Sequence, residues 1–207
     1  MRLVDVLTTL GSMDAPVFTT RQAATRLRVP NAHASVLLAR LAAAGHLVRL
    51  RRGVWAAPGG VDPLALPELL TAPFPAYVSL QSALYLHGMI SQMPAVTYAV
   101  TLARTRRFVT PFGVVSLHHV QPSFFFGYGD AASPGARLAT PEKALVDSRY
   151  LTPARSRLFR ALPELDWPKS FRVSTARAMV QRIVPVRRRT LVARRLQALF
   201  DTRTRWW

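Results

Sequence analysis

Between residues 2 and 57 the apolar positions change period in an order that few folds share. Residues 2–10 place Leu3, Val4, Val6, Leu7 and Leu10 at helical spacing and stop at Gly11. Residues 16–18 read as a short extended piece. Thr19-Thr20 then offers the side-chain oxygen that an N-cap uses to take a free backbone amide. A second helix is therefore expected over residues 21–28, with Ala23, Ala24 and Leu27 inward. Val29-Pro30 ends it, because proline disfavours the helical conformation in the residue before it. A third helix is expected from a cap at Asn31 to about residue 44, with Ala34, Leu37 or Leu38, and Leu41 as its inward stripe and Gly45 beyond its end. The period then drops to two. Val48 and Leu50 alternate with Arg49 and Arg51, Arg52-Gly53 turns the chain, and residues 54–57 return as a second strand. Three helices followed by a β-hairpin is the order of a winged helix-turn-helix.

Pro58-Gly59-Gly60 reads as a linker that closes this unit. Four prolines within residues 61–76 leave room only for a short helix near residues 66–70. Residues 77–90 read as a helix carrying Ala83, Leu84 and Leu86. Residues 95–103 read as a strand, and residues 107–117 as a hairpin turning at Thr110-Pro111-Phe112-Gly113. Residues 118–121 and 123–128 are further strand or loop. Thr140-Pro141 opens a helix to about residue 150, with threonine as cap and proline at the first helical position. Two amphipathic stretches end the chain. Ser174 caps the first, whose inward face is Ala178, Met179 and Ile183, and Pro185 breaks it. The second has Val192, Leu196, Leu199 and Phe200 on one side. The expected fold class is α+β: an N-terminal winged helix-turn-helix over residues 1–59, a mixed α/β C-terminal domain over 61–167, and a basic amphipathic helical tail over 168–207.

The charge is large and uneven. There are 28 basic and 10 acidic residues, a net charge of +18, and only Lys143 and Lys169 are lysines. Residues 1–60 carry a net +6, residues 61–167 a net +2 and residues 168–207 a net +10. A uniform arginine bias would not concentrate charge at the two ends, so the excess points to a polyanionic partner, nucleic acid before membrane. No stretch reaches the roughly 18 apolar residues of a membrane span, and the N-terminus lacks the pattern of a secretory leader. Cysteine is absent, which excludes disulfides, thiolate catalysis and cysteine-ligated zinc. These features fit a cytoplasmic protein.

In a helix-turn-helix the second helix of the pair enters the major groove. Here its outward face offers Asn31, His33, Ser35, Val36 and Arg40. Arginine can read guanine, serine or asparagine can bond a base edge, and valine can meet a thymine methyl. The preceding helix offers Thr20, Arg21, Gln22 and Arg26 for phosphates, and the hairpin offers Arg49, Arg51 and Arg52 for the backbone or minor groove. Ala32 and Ala39 lie on the same face of the third helix, so phosphate and shape contacts should carry much of the affinity. Arg187, Arg188, Arg189, Arg194 and Arg195 in the tail are candidate contacts to DNA or to a partner, or simply a solvated face.

No catalytic constellation, metal site or cofactor site is expected. His118 and His119 are adjacent on a strand and point to opposite faces. Glu142 and Asp147, five apart on a helix, fall on different faces. His87 beside Gly88 caps or packs a helix end, and Gly11-Ser12, with no Asp-x-Asp pair after it, is a turn.

The middle of the chain resembles the AbiEi family, antitoxins of type IV toxin–antitoxin and abortive-infection systems. The resemblance rests on Ser79-Leu80-Gln81-Ser82-Ala83-Leu84-Tyr85-Leu86-His87-Gly88, on Thr110-Pro111-Phe112-Gly113, and on Ala139-Thr140-Pro141-Glu142-Lys143-Ala144-Leu145-Val146-Asp147. They follow, in order, a winged helix whose hairpin bears an aromatic, Trp55. The resemblance implies a two-module antitoxin. The N-terminal module would bind inverted repeats at its own promoter and repress transcription, as two copies or a dimer on double-stranded DNA. The C-terminal module would counter a nucleotidyltransferase-like toxin. Two other readings follow from the sequence: a nuclease-like enzyme targeted by the winged helix, which needs a carboxylate cluster with a lysine, and a protein-interaction module without DNA binding.

Overall fold

The computed structural model describes residues 2–13, 16–151 and 164–203. Part of the 61–167 region and the last residues of the tail, read above from sequence, lie outside the described residues. The N-terminal unit runs α1 (Leu3–Gly11), β1 (Val17–Thr19), α2 (Thr20–Leu27), α3 (Asn31–Ala43), β2 (Val48–Arg51) and β3 (Val54–Ala56). Its sheet has the order β1-β3-β2, all antiparallel. This is the winged helix order expected from the periodicity, with the short extended piece recruited as a third strand.

Local chemistry explains the boundaries. Thr19 caps α2 reciprocally: the Gln22 amide donates to Thr19 Oγ1 at 3.2 Å and the Thr19 amide donates to Gln22 Oε1 at 2.7 Å. Arg28 ends α2 in the left-handed region at φ 54°. Asn31, expected from sequence to cap α3, does not do so. Pro30 occupies the cap with extended backbone, its carbonyl accepting from the Ala34 amide at 2.9 Å, and Asn31 is the first helical residue. Ala34, Leu37, Leu38 and Leu41 are all buried, and the three leucines pack with Val6, Leu10, Phe18, Ala23, Leu27, Leu47 and Trp55. Leu38 is fully buried, and truncation of such a side chain to alanine costs about 2–5 kcal/mol.

The second unit runs α4 (Leu66–Thr71), β4 (Ala76–Val78), α5 (Leu80–Leu86), β5 (Thr97–Thr101), β6 (Arg106–Thr110), β7 (Gly113–His119), a 3-10 turn (Pro122–Phe124), β8 (Tyr128–Asp130), β9 (Arg137–Ala139), α6 (Pro141–Leu151), α7 (Val173–Gln181) and α8 (Val186–Arg203). Its six-stranded sheet has the order β6-β7-β5-β4-β9-β8, with β5–β7 and β4–β9 parallel and the other pairs antiparallel. One sequence expectation is corrected here, and one strand is new. Tyr77 and Val78 lie in β4 rather than at the start of a helix, and the helix starts at Leu80. Strand β9, which pairs β4 in parallel, was not foreseen. Both strands have only three residues, too short to show a period of two.

Helices α7 and α8 are part of this unit's core. Phe171, Ala176, Val180, Ile183, Val192, Leu196 and Phe200 pack with Tyr77, Leu84, Phe124, Leu145 and Tyr150. The inward face of α7 is therefore Ala176 and Val180, with Ile183 buried just past its end, Met179 partly buried and Ala178 exposed. The cap is also displaced: Arg172 precedes α7, and its amide donates to Glu142 Oε1 at 2.8 Å. Helices α7 and α8 are set apart by charge but share a core with the sheet unit.

Candidate nucleic-acid interface

Helices α2 and α3 and the β2–β3 hairpin enclose a cleft of about 540 Å³. Six of the residues singled out from sequence line it: Thr20 and Arg21 from α2, Asn31 and Ser35 from α3, and Arg49 and Arg52 from the hairpin. Ala32 and Ala39 also face it, so the α3 wall is low and the rims are guanidiniums. His33, Val36 and Arg40 are exposed on α3 outside the cleft, and Val36 is 57% exposed. A surface valine of that exposure contributes nothing to the core and is free to meet an apolar group. A shallower depression brings Arg28 and Thr25 beside Arg21 and Asn31. Sequence reasoning did not single out Arg28; its place before Val29-Pro30, in the turn between the paired helices, was the available signal.

Trp55 sets the floor of the cleft. Its indole Nε1 donates to Thr20 Oγ1 at 2.9 Å, and the Thr20 amide donates to the Gly53 carbonyl at 3.0 Å. Together these bonds tie the N-terminus of α2 to the hairpin turn. Gly53 has φ +76°, a conformation the turn demands and glycine adopts without steric penalty. Arg49 lies over the Trp55 ring at 5.6 Å.

Two expected contact residues are held elsewhere. Arg26 Nη2 donates to Ser12 Oγ at 2.9 Å, bridging α2 to the end of α1. Arg51 is half-buried rather than outward, and its Nη2 donates to the Ala72 carbonyl at 3.0 Å. The strict alternation read from sequence fails here because the β2–β3 register slips between Arg49 and Arg51. The Gln22 carboxamide oxygen is occupied by the α2 cap, which leaves its NH2 end outward.

In the tail, Arg187, Arg188 and Arg194 are exposed, while Arg189 and Arg195 are half-buried. Arg188 lies over the Tyr150 ring at 4.6 Å. Arg195 stands close to Arg149, whose guanidinium is pushed below its ordinary pKa by burial first and by Arg195 second.

The second unit holds a polar cluster that sequence reasoning missed. Lys143 and Asp147, one helical turn apart on α6, form an ion pair with no solvent exposure. Asp147 Oδ2 accepts from Ser79 Oγ at 2.7 Å and from Tyr77 Oη at 3.1 Å, and Lys143 Nζ also donates to the Phe124 carbonyl at 3.1 Å. The ammonium sits over the rings of Phe124 and Phe126. Gly127 makes room for it: φ is +77°, and a Cβ there would lie 3.1 Å from the lysine chain. Burial raises the Asp147 carboxyl and lowers the Lys143 ammonium, each opposed by attraction to the other. The signal available was the i, i+4 spacing of opposite charges. Two of the three stretches that carry the family resemblance thus meet here, Ser79 before α5 and Lys143 and Asp147 on α6, and Tyr77 of β4 joins them. The third, Thr110-Pro111-Phe112-Gly113, is the β6–β7 turn, where Thr110 Oγ1 donates to the Gly113 carbonyl at 2.8 Å.

His118 and His119 fall on opposite faces of β7 and have separate neighbours, Ser116 Oγ at 3.1 Å and the Ala103 carbonyl at 3.1 Å. Among the described residues no group of three histidines or carboxylates is arranged to hold a metal ion, and no helix is long and apolar enough to cross a membrane. No protein of curated function matches the chain. Residues 5–58, from α1 to the end of the hairpin, match the family described as transcriptional regulator, AbiEi antitoxin.

Proposed function

We propose that the chain is a DNA-binding autorepressor and antitoxin that binds inverted repeats at its own promoter through the winged helix. The observation that carries this reading is the cleft between α2, α3 and the hairpin, whose rims present Arg21, Arg49 and Arg52 around a low wall formed by Ala32, Ser35 and Ala39. Such a surface suits a duplex backbone: guanidiniums neutralise phosphates, small side chains permit close approach, and the exposed Arg40 and Val36 reach for base edges. Two copies on a repeat follow from the two-fold symmetry of an inverted site. The exposed arginines of α8, Arg187, Arg188 and Arg194, are further candidates for contact with DNA or a partner.

The antitoxin half of the proposal rests on the family description and on the resemblance of the second unit. Its counterpart would be a nucleotidyltransferase-like toxin, and co-expression of the chain should relieve growth arrest by that toxin. A nuclease reading has no support from Lys143 and Asp147, which are closed to any substrate.

The test separates reading from gripping. Arg40→Ala or Ser35→Ala should reduce the preference for the promoter duplex over a scrambled one by about 1–3 kcal/mol, measured by fluorescence anisotropy. Arg52→Ala should weaken both duplexes alike. Unchanged preference in both α3 variants would contradict the assignment of α3 as the reading element.

A further inference from the structure

Strand β3 of the hairpin is buried on both faces. Trp55 enters the core of the winged helix. Its strand neighbours Val54 and Ala56, pointing the opposite way, join Leu50 in a second core with Leu66 and Leu70 of α4, Ala99 of β5, and Val115 and Leu117 of β7. The register slip divides the arginines in the same manner. Arg49 pairs across the hairpin with Trp55 and Arg51 with Val54, and cross-strand partners share a face. Arg49 therefore belongs to the cleft side and Arg51 to the side of the second unit. There Arg51 Nη2 meets the Ala72 carbonyl, where α4 ends and the last carbonyls of a helix lack intrahelical partners. Its Nε is shut off from solvent with no hydrogen-bond partner, an arrangement foreign to a guanidinium kept free for a phosphate.

We propose that Arg51 is a positioning residue: it tethers the wing to the end of α4, so that the second unit sets the tilt of the wing against α3. This rests on the DNA-binding reading above. It gives that reading a route of control, because a partner that shifts α4 or β7 would move the wing, and with it Arg49 and Arg52, without touching the recognition helix.

A phosphate ligand and a tether respond differently to salt. Removing one phosphate-neutralising cation flattens the log–log salt dependence of binding by about 0.9, whereas cutting a tether lowers affinity at every salt concentration alike. In the full chain, Arg51→Ala should weaken promoter binding about three- to tenfold with the wild-type slope, while Arg52→Ala should flatten the slope. Arg51→Gln, which keeps donors without the charge, should retain more affinity than Arg51→Ala. In the absence of DNA, amide hydrogen exchange over residues 49–55 should quicken in Arg51→Ala and not in Arg52→Ala. A flattened slope in Arg51→Ala with unchanged exchange would make Arg51 a phosphate ligand and overturn the proposal. Wild-type affinity with unchanged exchange would overturn it equally. Should the unsubstituted protein bind no duplex, the DNA reading fails, and the exchange measurement alone still decides whether Arg51 holds the wing.

Discussion

The winged helix and the second unit use the same residue type in different ways. On the winged helix Arg21, Arg40 and Arg52 are exposed, and among the described residues they meet neither a carboxylate nor an aromatic ring. On the second unit, Arg182 lies 3.5 Å over Phe126, Arg188 lies 4.6 Å over Tyr150, and Arg106 lies 4.7 Å over Phe108. Arg137 pairs with Glu68 at 3.4 Å. The first set offers charge to an outside partner, and the second set also roofs an aromatic core with its planar guanidiniums. A net charge of +18 counts both sets equally. Their surroundings separate charge that is available from charge already engaged.

The largest break in this comparison should come from the one ion pair that is wholly buried among the described residues. Asp147→Asn would strand the Lys143 ammonium against Phe124 and Phe126, and loss of one buried partner costs about 3–5 kcal/mol. Arg21→Ala on the winged helix should change stability by less than about 0.5 kcal/mol. Denaturant midpoints for the two variants would measure the contrast, and an Asp147→Asn chain as stable as wild type would refute the role given to the pair.

The next effect is one of pH. Burial lowers the His118 pKa from 6.5 to about 4. Between those values the unfolded chain binds the proton and the folded chain does not, so stability falls as pH drops from 6.5 towards 4 and levels off below. A loss of about 1–3 kcal/mol over that window is expected. His118→Gln should remove the dependence. A flat stability profile in the unsubstituted protein would show that His118 is not held neutral by the fold.

The smallest effect distinguishes the two sets of arginines directly. Arg188→Ala should lower stability by about 0.5–1 kcal/mol by uncovering the Tyr150 ring, while Arg52→Ala should leave the thermal midpoint unchanged. Equal shifts would erase the distinction between roofing and free guanidiniums.

The winged helix was legible in sequence because long, regular periods encode it. The stripe Ala34, Leu37, Leu38 and Leu41 repeats at helical spacing, and Val48 and Leu50 alternate with arginines. Strands β4 and β9 were not legible, since three residues carry no period and their partners lie far away in the chain. The cleft residues could be named from their faces on α2 and α3, but the diversion of Arg26 to Ser12 and of Arg51 to Ala72 depends on elements distant in sequence. A one-residue register slip cannot be read from so short a strand pattern. The Lys143–Asp147 pair had a local signature, yet only the convergence of Tyr77, Ser79 and Phe124 distinguishes a buried pair from a surface one.

The central claim is that the cleft of the winged helix reads a DNA sequence. The measurement that tests it most directly is anisotropy of the full chain with its own upstream region and with a scrambled duplex, at two salt concentrations. If about six to eight phosphates are neutralised, affinity should fall with a log–log slope of about −5 to −7, and the preference for the upstream region should persist at the higher salt. Equal binding to both duplexes, collapsing together as salt rises, would contradict the account and leave a basic protein that holds DNA through charge alone.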